Sequence, residues 1–459
     1  MAAVLDKFEC SSCGIKYSKW QGKCRNCGEI DSIVEVEQTV APTGGVIVTT
    51  ESGIPTPITL LAEHVNSSVE KTSTGIPEFD RVLSGGLLPG EVVLLSGNAG
   101  AGKSTLLAQT GYNMAKLGLR VLYASAEENQ SQILTRHLRV GAIHENLELS
   151  TPAPSLIDEV VGRMSDYGLV IVDSLQTFSA RDNTSMPGSV SQVSEVARML
   201  ATAAKQMNVP TIIVGQVTKS DSIAGPKIVE HMVDAVLQFE TFADSPVRLL
   251  RVLKNRFGDT EEVGTFVHSD TGIQSLSNPA EAFTVARANP IPGAATTVIQ
   301  EGNRCLPLEV QALVNVTGNE HPRRQDSGIN RARAAITVGV LEKYSQIPFG
   351  AADVYTQTVG GMRVDDPGAD LSVAVAVLTS YMQVPPPEKT VFVGEVTLTG
   401  ELSPVSGMNK RIADAYSLGY EEIWIPERTK LSKKSDIKVT RISNIGEIIR
   451  RLEKKGGKT

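Results

Sequence analysis

The sequence predicts an α/β protein, and three observations carry that expectation. A G-x-x-x-x-G-K-S/T loop follows an apolar run, apolar strands alternate with helix-period segments through the middle of the chain, and two Cys-x-x-Cys pairs stand near the N-terminus. The chain has 459 residues, of which 41% are apolar and 21% charged. Such a chain suits a globular protein of about three domains.

The loop reads Gly97-Asn98-Ala99-Gly100-Ala101-Gly102-Lys103-Ser104-Thr105 directly after Leu94-Leu95-Ser96. Small residues between Gly97 and Gly102 let backbone N–H groups curl around a β-phosphate, Lys103 reaches the β/γ oxygens, and the Ser104 hydroxyl can ligate Mg²⁺. The residues that follow, through Gln109, read as a helix whose N-terminus points its dipole at the anion. ATP and Mg²⁺ are the cofactors this implies.

No apolar run reaches the roughly 18 residues of a membrane span, and Met1–Cys10 contains Asp6, Lys7 and Glu9 instead of a signal core, so no membrane association and a cytoplasmic location are expected. The formal charge of −7 argues against a uniformly basic nucleic-acid coat. Charge is uneven, however: Arg428–Thr459 holds eleven Lys/Arg against three Asp/Glu, which reads equally as a solvated tail or a functional patch.

Cys10-x-x-Cys13 and Cys24-x-x-Cys27 are two knuckles separated by ten residues, each able to aim two thiolates at one tetrahedral ion. They predict one Zn²⁺, whose coordination supplies the folding energy of a segment too short for its own core, with Tyr17 and Trp20 packing inside it. A redox pair is the alternative, disfavoured by two copies without a βαβ context. Cys305 stands alone and reads as a small buried apolar residue.

Candidate strands follow at Glu91–Ser96, Arg120–Ser125, Leu169–Asp173, Pro210–Gln216, Ala235–Glu240 and Arg248–Lys254, with helices near Thr105–Lys116, Asn129–Leu138, Leu156–Met164 and Val190–Gln206. Unbroken apolar strands in β-α-β alternation imply a parallel sheet covered on both faces, with ligands at the carboxyl ends of its strands. A second α/β block begins near Val285, with apolar runs at Leu308–Val316, Ala334–Leu341, Leu371–Leu378 and Val391–Val396. The expected division is 1–33 knuckle, 34–68 linker, 69–280 nucleotide-binding core and 285–459 second domain.

Asp173 ends an apolar strand, the form expected of the carboxylate that orients Mg²⁺ in P-loop ATPases. Glu127 and Glu128 follow another strand, placing a general base for the attacking water beside the phosphate site. Gln216 ends a third and precedes the loop Thr218–Lys227, to which it can report the γ-phosphate. That loop, with Lys219 and Lys227, and the loop Ser179–Ser189, with Arg181, are candidates for nucleic-acid backbone contact. Lys254-Asn255-Arg256-Phe257-Gly258 closes the last strand with two cations and a ring, suited to phosphate contact either on DNA or on a nucleotide held by a neighbouring subunit. The i, i+2 spacing of Lys254 and Arg256 puts both on one side if the strand continues, and lets them diverge if it bends.

Taken in this order, the knuckle, the P-loop core, Lys254–Gly258 and a Lon-protease-like end resemble the bacterial RadA (Sms) family over nearly the whole chain. The resemblance implies a RecA-like ATPase core, a hexameric ring, binding of single-stranded and branched DNA, and branch migration of recombination intermediates with a RecA-type recombinase. It further implies that Lys103 and Ser104 bind phosphate and Mg²⁺, that Glu127 is the catalytic carboxylate, and that Lys254–Gly258 couples ATP to DNA. The chain departs from the family pattern at Ala99 for Pro, Ala126 for Gly and Gln216 for His. In the Lon-like segments Asp366–Asp370 and Gly400–Lys410, the nucleophile position is Ala369 and the base position Asn409. Neither residue can do that chemistry, so a ring-forming scaffold is expected there, lined by Arg323, Arg324, Arg331 and Arg333 as a DNA surface.

Overall fold

The computed structural model describes residues 8–10, 16–17, 22–25, 27, 33–35, 70–153, 155–215, 227–242, 245–317, 321–432 and 435–456. The chain divides into two compact units, Met1–Ser67 and Ser68–Thr459. In the first, β1 (Phe8–Cys10) pairs antiparallel with both β2 (Lys16–Tyr17) and β3 (Ile33–Glu35).

The second unit opens with α1 (Pro77–Val82) and builds a nine-stranded sheet. Its strands are β4 (Val92–Gly97), β5 (Val121–Ser125), β6 (Leu147–Ser150), β7 (Leu169–Asp173), β8 (Thr211–Val214), β9 (Ala235–Thr241), β10 (Val247–Asn255), β11 (Val263–Ser269) and β12 (Gly272–Ser275). The helices between them are α2 (Lys103–Lys116), α3 (Gln130–Arg139), α4 (Ile157–Val161), α5 (Val190–Met207) and α6 (Lys227–Met232). Strand order is β12-β11-β10-β9-β4-β8-β7-β5-β6, which puts β4 and its phosphate loop at the centre.

Every residue of β4, β5, β7 and β8 is buried, because the side chains alternate between two covered faces. Val93 and Leu95 pack with α1, α2 and Ile133, whereas Val92 and Leu94 pack with α4 and α5. The expected parallel sheet needs a correction: β4 to β9 are parallel, but β10, β11 and β12 extend it antiparallel as a meander. The strands look alike in sequence, and only the short connections, too short for crossover helices, set the reversal. The helix expected at Leu156–Met164 also ends early, at Val161, and a separate 3₁₀ turn covers Met164–Asp166.

A second sheet follows, reached through α7 (Ala280–Phe283). It contains β13 (Ala294–Glu301), β14 (Arg304–Val316), β15 (Arg324–Ser327), β16 (Ala352–Thr358), β17 (Thr390–Phe392), β20 (Glu422–Pro426) and β21 (Lys438–Ile442), in the order β15-β16-β14-β13-β17-β20-β21. A two-stranded pair, β18 (Glu395–Val396) and β19 (Leu402–Ser403), stands beside it. Helices α8 (Arg331–Ser345), α9 (Asp370–Met382) and α11 (Ile445–Gly456) cover one face, and α10 (Met408–Ser417) the other. The basic end is therefore no free tail through residue 456, since Ile445, Ile448 and Leu452 of α11 are in the core. Cys305 is buried as expected, and burial pushes its thiol up to about 12.

The two sheets share an apolar cluster in which Val247, Leu249 and Val263 meet Phe283, Ile299, Leu306, Leu308 and Ala369. Ion pairs flank it: Arg251 reaches Glu240 at 2.7 Å and Glu301 at 2.6 Å, and Arg304 reaches Glu78 at 2.6 Å. Among the described residues no helix is long and apolar enough to cross a membrane.

Candidate functional site

The phosphate loop leaves the carboxyl end of β4 and enters α2. Gly97, Gly100 and Gly102 hold φ of 142°, 75° and 99°, a region that side chains avoid, and a Cβ on Gly97 would lie 2.8 Å from the Phe239 carbonyl oxygen. Asn98, Ala99 and Gly100 face solvent, Ala101, Lys103 and Thr105 are buried, and Ser104 is half-buried. Lys103 Nζ donates to Gly97 O at 2.6 Å and Asn98 O at 2.9 Å, so its ammonium caps the loop. Burial pulls its pKa below the usual lysine range, against the pull of Asp173 and Glu127.

Asp173 ends β7 and Ser125 ends β5, their backbones paired in register. Lys103, Ser104, Glu127, Glu128 and Asp173 line one cavity of about 210 Å³ with Ala99 and Gly100, at the carboxyl ends of the parallel strands. Glu127 Oε2 accepts from Ser174 Oγ at 3.1 Å. The donor set of hydroxyl and carboxylate at Ser104 and Asp173 suits a hard divalent cation, and the glycine cradle suits a phosphate.

Two residues of this site escaped the sequence reading. Tyr123, fully buried on β5, donates its hydroxyl to Asp173 Oδ2 at 2.6 Å, and burial with the adjacent Asp173 raises its pKa well above the ordinary value. Arg136 lines the cavity from α3 and is paired with Glu128. Burial works against the Arg136 charge, but Tyr123, Glu128 and Asp173 outweigh it and hold the pKa above the usual value. A sequence signal for Arg136 did exist: it lies between the buried Ile133 and His137 on the inward face of α3.

Lys254–Gly258 lies at the opposite end of the sheet. Lys254 and Asn255 pair with Val236 and Ala235 at the start of β9, while the phosphate loop follows Gly97 beside Phe239, roughly 13 Å further along at 3.3 Å per residue. Arg256 is thus not at its own chain's phosphate site. The two cations neither line one strand face nor diverge, but converge on the end of α6. Lys254 Nζ donates to Glu230 O at 2.5 Å and Val233 O at 2.7 Å. Arg256 reaches Asp234 Oδ1 at 3.1 Å and His231 O at 3.2 Å. Asp234, 1% exposed, also takes Lys205 at 3.2 Å and the Val92 N–H at 3.1 Å. Asn255 Oδ1 accepts from Phe257 N at 2.9 Å and shapes the turn, Phe257 is half-exposed, and Gly258 is so close to Ser84 that a Cβ would lie 2.0 Å from Ser84 Oγ. Lys227 opens α6, whereas Gln216, Lys219 and most of the loop Thr218–Lys227 lie outside the described residues.

This arrangement has relatives. Three family profiles match parts of the chain: the KaiC ATPase over residues 72–152, the ChlI subunit of Mg-chelatase over 360–429, and a rubredoxin metal binding domain over 8–35. The chain is 40% identical to the "DNA repair protein RadA" of Mycobacterium tuberculosis over 438 residues, 93% of this chain and 89% of the relative. It is 38% identical to that of Listeria monocytogenes, covering 97% of each, and 38% identical to that of Bacillus subtilis, covering 98% and 99%. The chain belongs to the RadA family.

The metal-binding domain of this RadA-family chain is described at few positions. Cys24 is buried and Cys27 exposed, Cys10 ends β1, and Cys13, with Trp20, lies outside the described residues. In the second sheet's domain, Ala369 is 4% exposed and belongs to the apolar cluster shared with the ATPase sheet. Asn409 Oδ1 accepts from Ser432 N at 3.2 Å. Of the arginines expected on a DNA surface, Arg323 and Arg331 are exposed, Arg324 donates to Phe349 O, and Arg333 is tied to Asp370 at 2.6 Å and Glu395 at 3.2 Å. Arg181 is exposed at the start of its loop.

Proposed function

We propose that this protein is a DNA-stimulated ATP hydrolase of DNA repair and recombination, working as a ring of copies that migrates branch points. The observation that carries the reading is the convergence of Lys103, Ser104, Glu127 and Asp173 on one cavity at the strand ends. In it Gly97–Thr105 cradles the phosphates of ATP, Lys103 neutralises developing charge, Ser104 and Asp173 hold Mg²⁺, and Glu127 activates water. Lys254 and Arg256, remote from their own phosphate loop, act on the nucleotide of the adjacent copy in a homo-hexamer. Their grip on α6 ties them to the segment Thr218–Lys227, in which Lys219 and Lys227 contact DNA and to which Gln216 reports the γ-phosphate, and so links hydrolysis to strand movement.

Single-stranded and branched DNA and a RecA-type recombinase are the partners of this reading, and the cytoplasm its place. Cys10, Cys13, Cys24 and Cys27 hold one Zn²⁺ per chain, which metal analysis of protein purified anaerobically checks. Domain limits of 1–33, 34–68, 69–280 and 285–459 accompany it. The last domain is a scaffold without protease activity, supported by Ala369, which carries no nucleophile and sits in apolar packing. The decisive experiment is ATP turnover with and without single-stranded DNA. Stimulation is expected, and a rate indifferent to DNA overturns the reading.

A further inference from the structure

We propose that Arg136 is a contact for the γ-phosphate within the chain's own site, the group by which this protein tells a nucleoside triphosphate from a diphosphate. The inference rests on the ATPase reading above and deepens it. Arg136 lies on the inward face of α3 and lines the same cavity as Lys103, Ser104, Glu127 and Asp173. Its Nη2 is engaged by Glu128. Its Nη1 is buried and has no hydrogen-bond partner among the described residues.

A guanidinium keeps its charge at any working pH and offers a planar fork of donors matched to phosphate oxygens. Leaving one of those charged N–H groups buried and unmatched is unfavourable, and an acceptor entering the cavity removes the penalty. Position decides which acceptor. Lys103 sits within the loop, capping Gly97 O and Asn98 O, where the β-phosphate is bound. The γ-phosphate of a bound triphosphate extends from there toward the water-activating and metal-holding carboxylates. Glu127, Glu128 and Asp173 give the cavity negative charge, and Arg136 lines it as a second cation beside Lys103. A diphosphate is satisfied by the loop, whereas a triphosphate brings oxygens to Nη1 while Glu128 continues to hold Nη2.

The test is binding of fluorescent ADP and of a non-hydrolysable ATP analogue, each with Mg²⁺, to the full chain and its variants. In Arg136→Gln the affinity for the analogue is expected to fall about tenfold or more, as for loss of a charge-assisted hydrogen bond, while ADP binding stays within about twofold. Arg136→Lys restores part of the preference, and the retained ADP affinity shows that the variants are folded. Glu128→Gln leaves the guanidinium in place and keeps the preference for triphosphate. Arg136→Gln with an unaltered preference overturns the inference. So does Glu128→Gln losing it as fully as Arg136→Gln, which would make Arg136 only a holder for Glu128. If the unaltered chain binds neither nucleotide, the ATPase reading itself fails, a result distinct from both.

Discussion

Lys103 directs its ammonium at two carbonyls of its own loop, neutral acceptors that a phosphate replaces with charged oxygens. Replacing Lys103 with Ala removes that counter-charge and is expected to lower ATP turnover by about a thousandfold or more, with the thermal melt of the protein little changed. Turnover near the unaltered rate would show that the chemistry is elsewhere. Glu91 tells a different story. It is 1% exposed, its Oε2 accepts from Leu88 N, its Oε1 has no hydrogen-bond partner among the described residues, and burial raises its pKa. A carboxyl whose folded pKa lies above the unfolded value contributes fully below the unfolded value, and that contribution is lost as pH rises through the folded one. Glu91→Gln is therefore expected to melt higher than the unaltered chain at pH 8, by an amount that shrinks toward pH 5. An advantage that grows on acidification would contradict this. Residues whose chemistry is local were legible in the sequence: Gly97–Thr105 and Asp173 are recognisable from a dozen neighbours. Tyr123 was not, because its meaning arises only when β5 and β7 are side by side, and the helical period that puts Arg136 on the inward face of α3 does not tell which cavity that face lines.

The short helix α6 is stabilised from outside its own sequence. Six residues cannot form a stable isolated helix, and Lys254 and Arg256 hydrogen-bond the carbonyls that its C-terminal end leaves open. Two cations at a helix C-terminus also oppose its dipole, and Asp234 fixes one of them. Arg256→Ala is expected to leave nucleotide binding intact and to abolish DNA stimulation of hydrolysis and strand movement. Asp234→Asn should weaken the same coupling less, because the Val92 N–H keeps an acceptor. ATPase rate beside DNA binding across a salt series separates the roles, since loss of one exposed phosphate contact changes DNA affinity modestly and reduces the salt slope by about one. Coupling preserved in Arg256→Ala would reduce this turn to architecture. The destination of these side chains could not be read from spacing, because it depends on β10 running antiparallel to β9 and delivering its end to the start of that strand.

Across the whole second unit, the two sheets share an apolar cluster and the Arg251 and Arg304 bridges. One cooperative unfolding transition is therefore expected for Ser68–Thr459. Arg251→Ala leaves Glu301 facing the interface without its cation and should cost about 1–3 kcal/mol, less than a fully buried pair because both groups retain some solvent. Calorimetry resolving two independent transitions, one for each sheet, would refute the shared core. The order of strands and helices in the first sheet was largely legible, because each element carries its own periodicity, whereas the shared cluster joins residues far apart in sequence and left no local pattern. Lys254 and Arg256 stand at the far end of the sheet from their own phosphate loop. If each junction takes its P-loop from one copy and its cations from the next, two variants that each lack DNA-stimulated hydrolysis repair each other when mixed. In a random equal mixture of Lys103→Ala and Arg256→Ala chains, about a quarter of the junctions would pair two sound halves, and DNA-stimulated hydrolysis absent from either preparation alone would reappear.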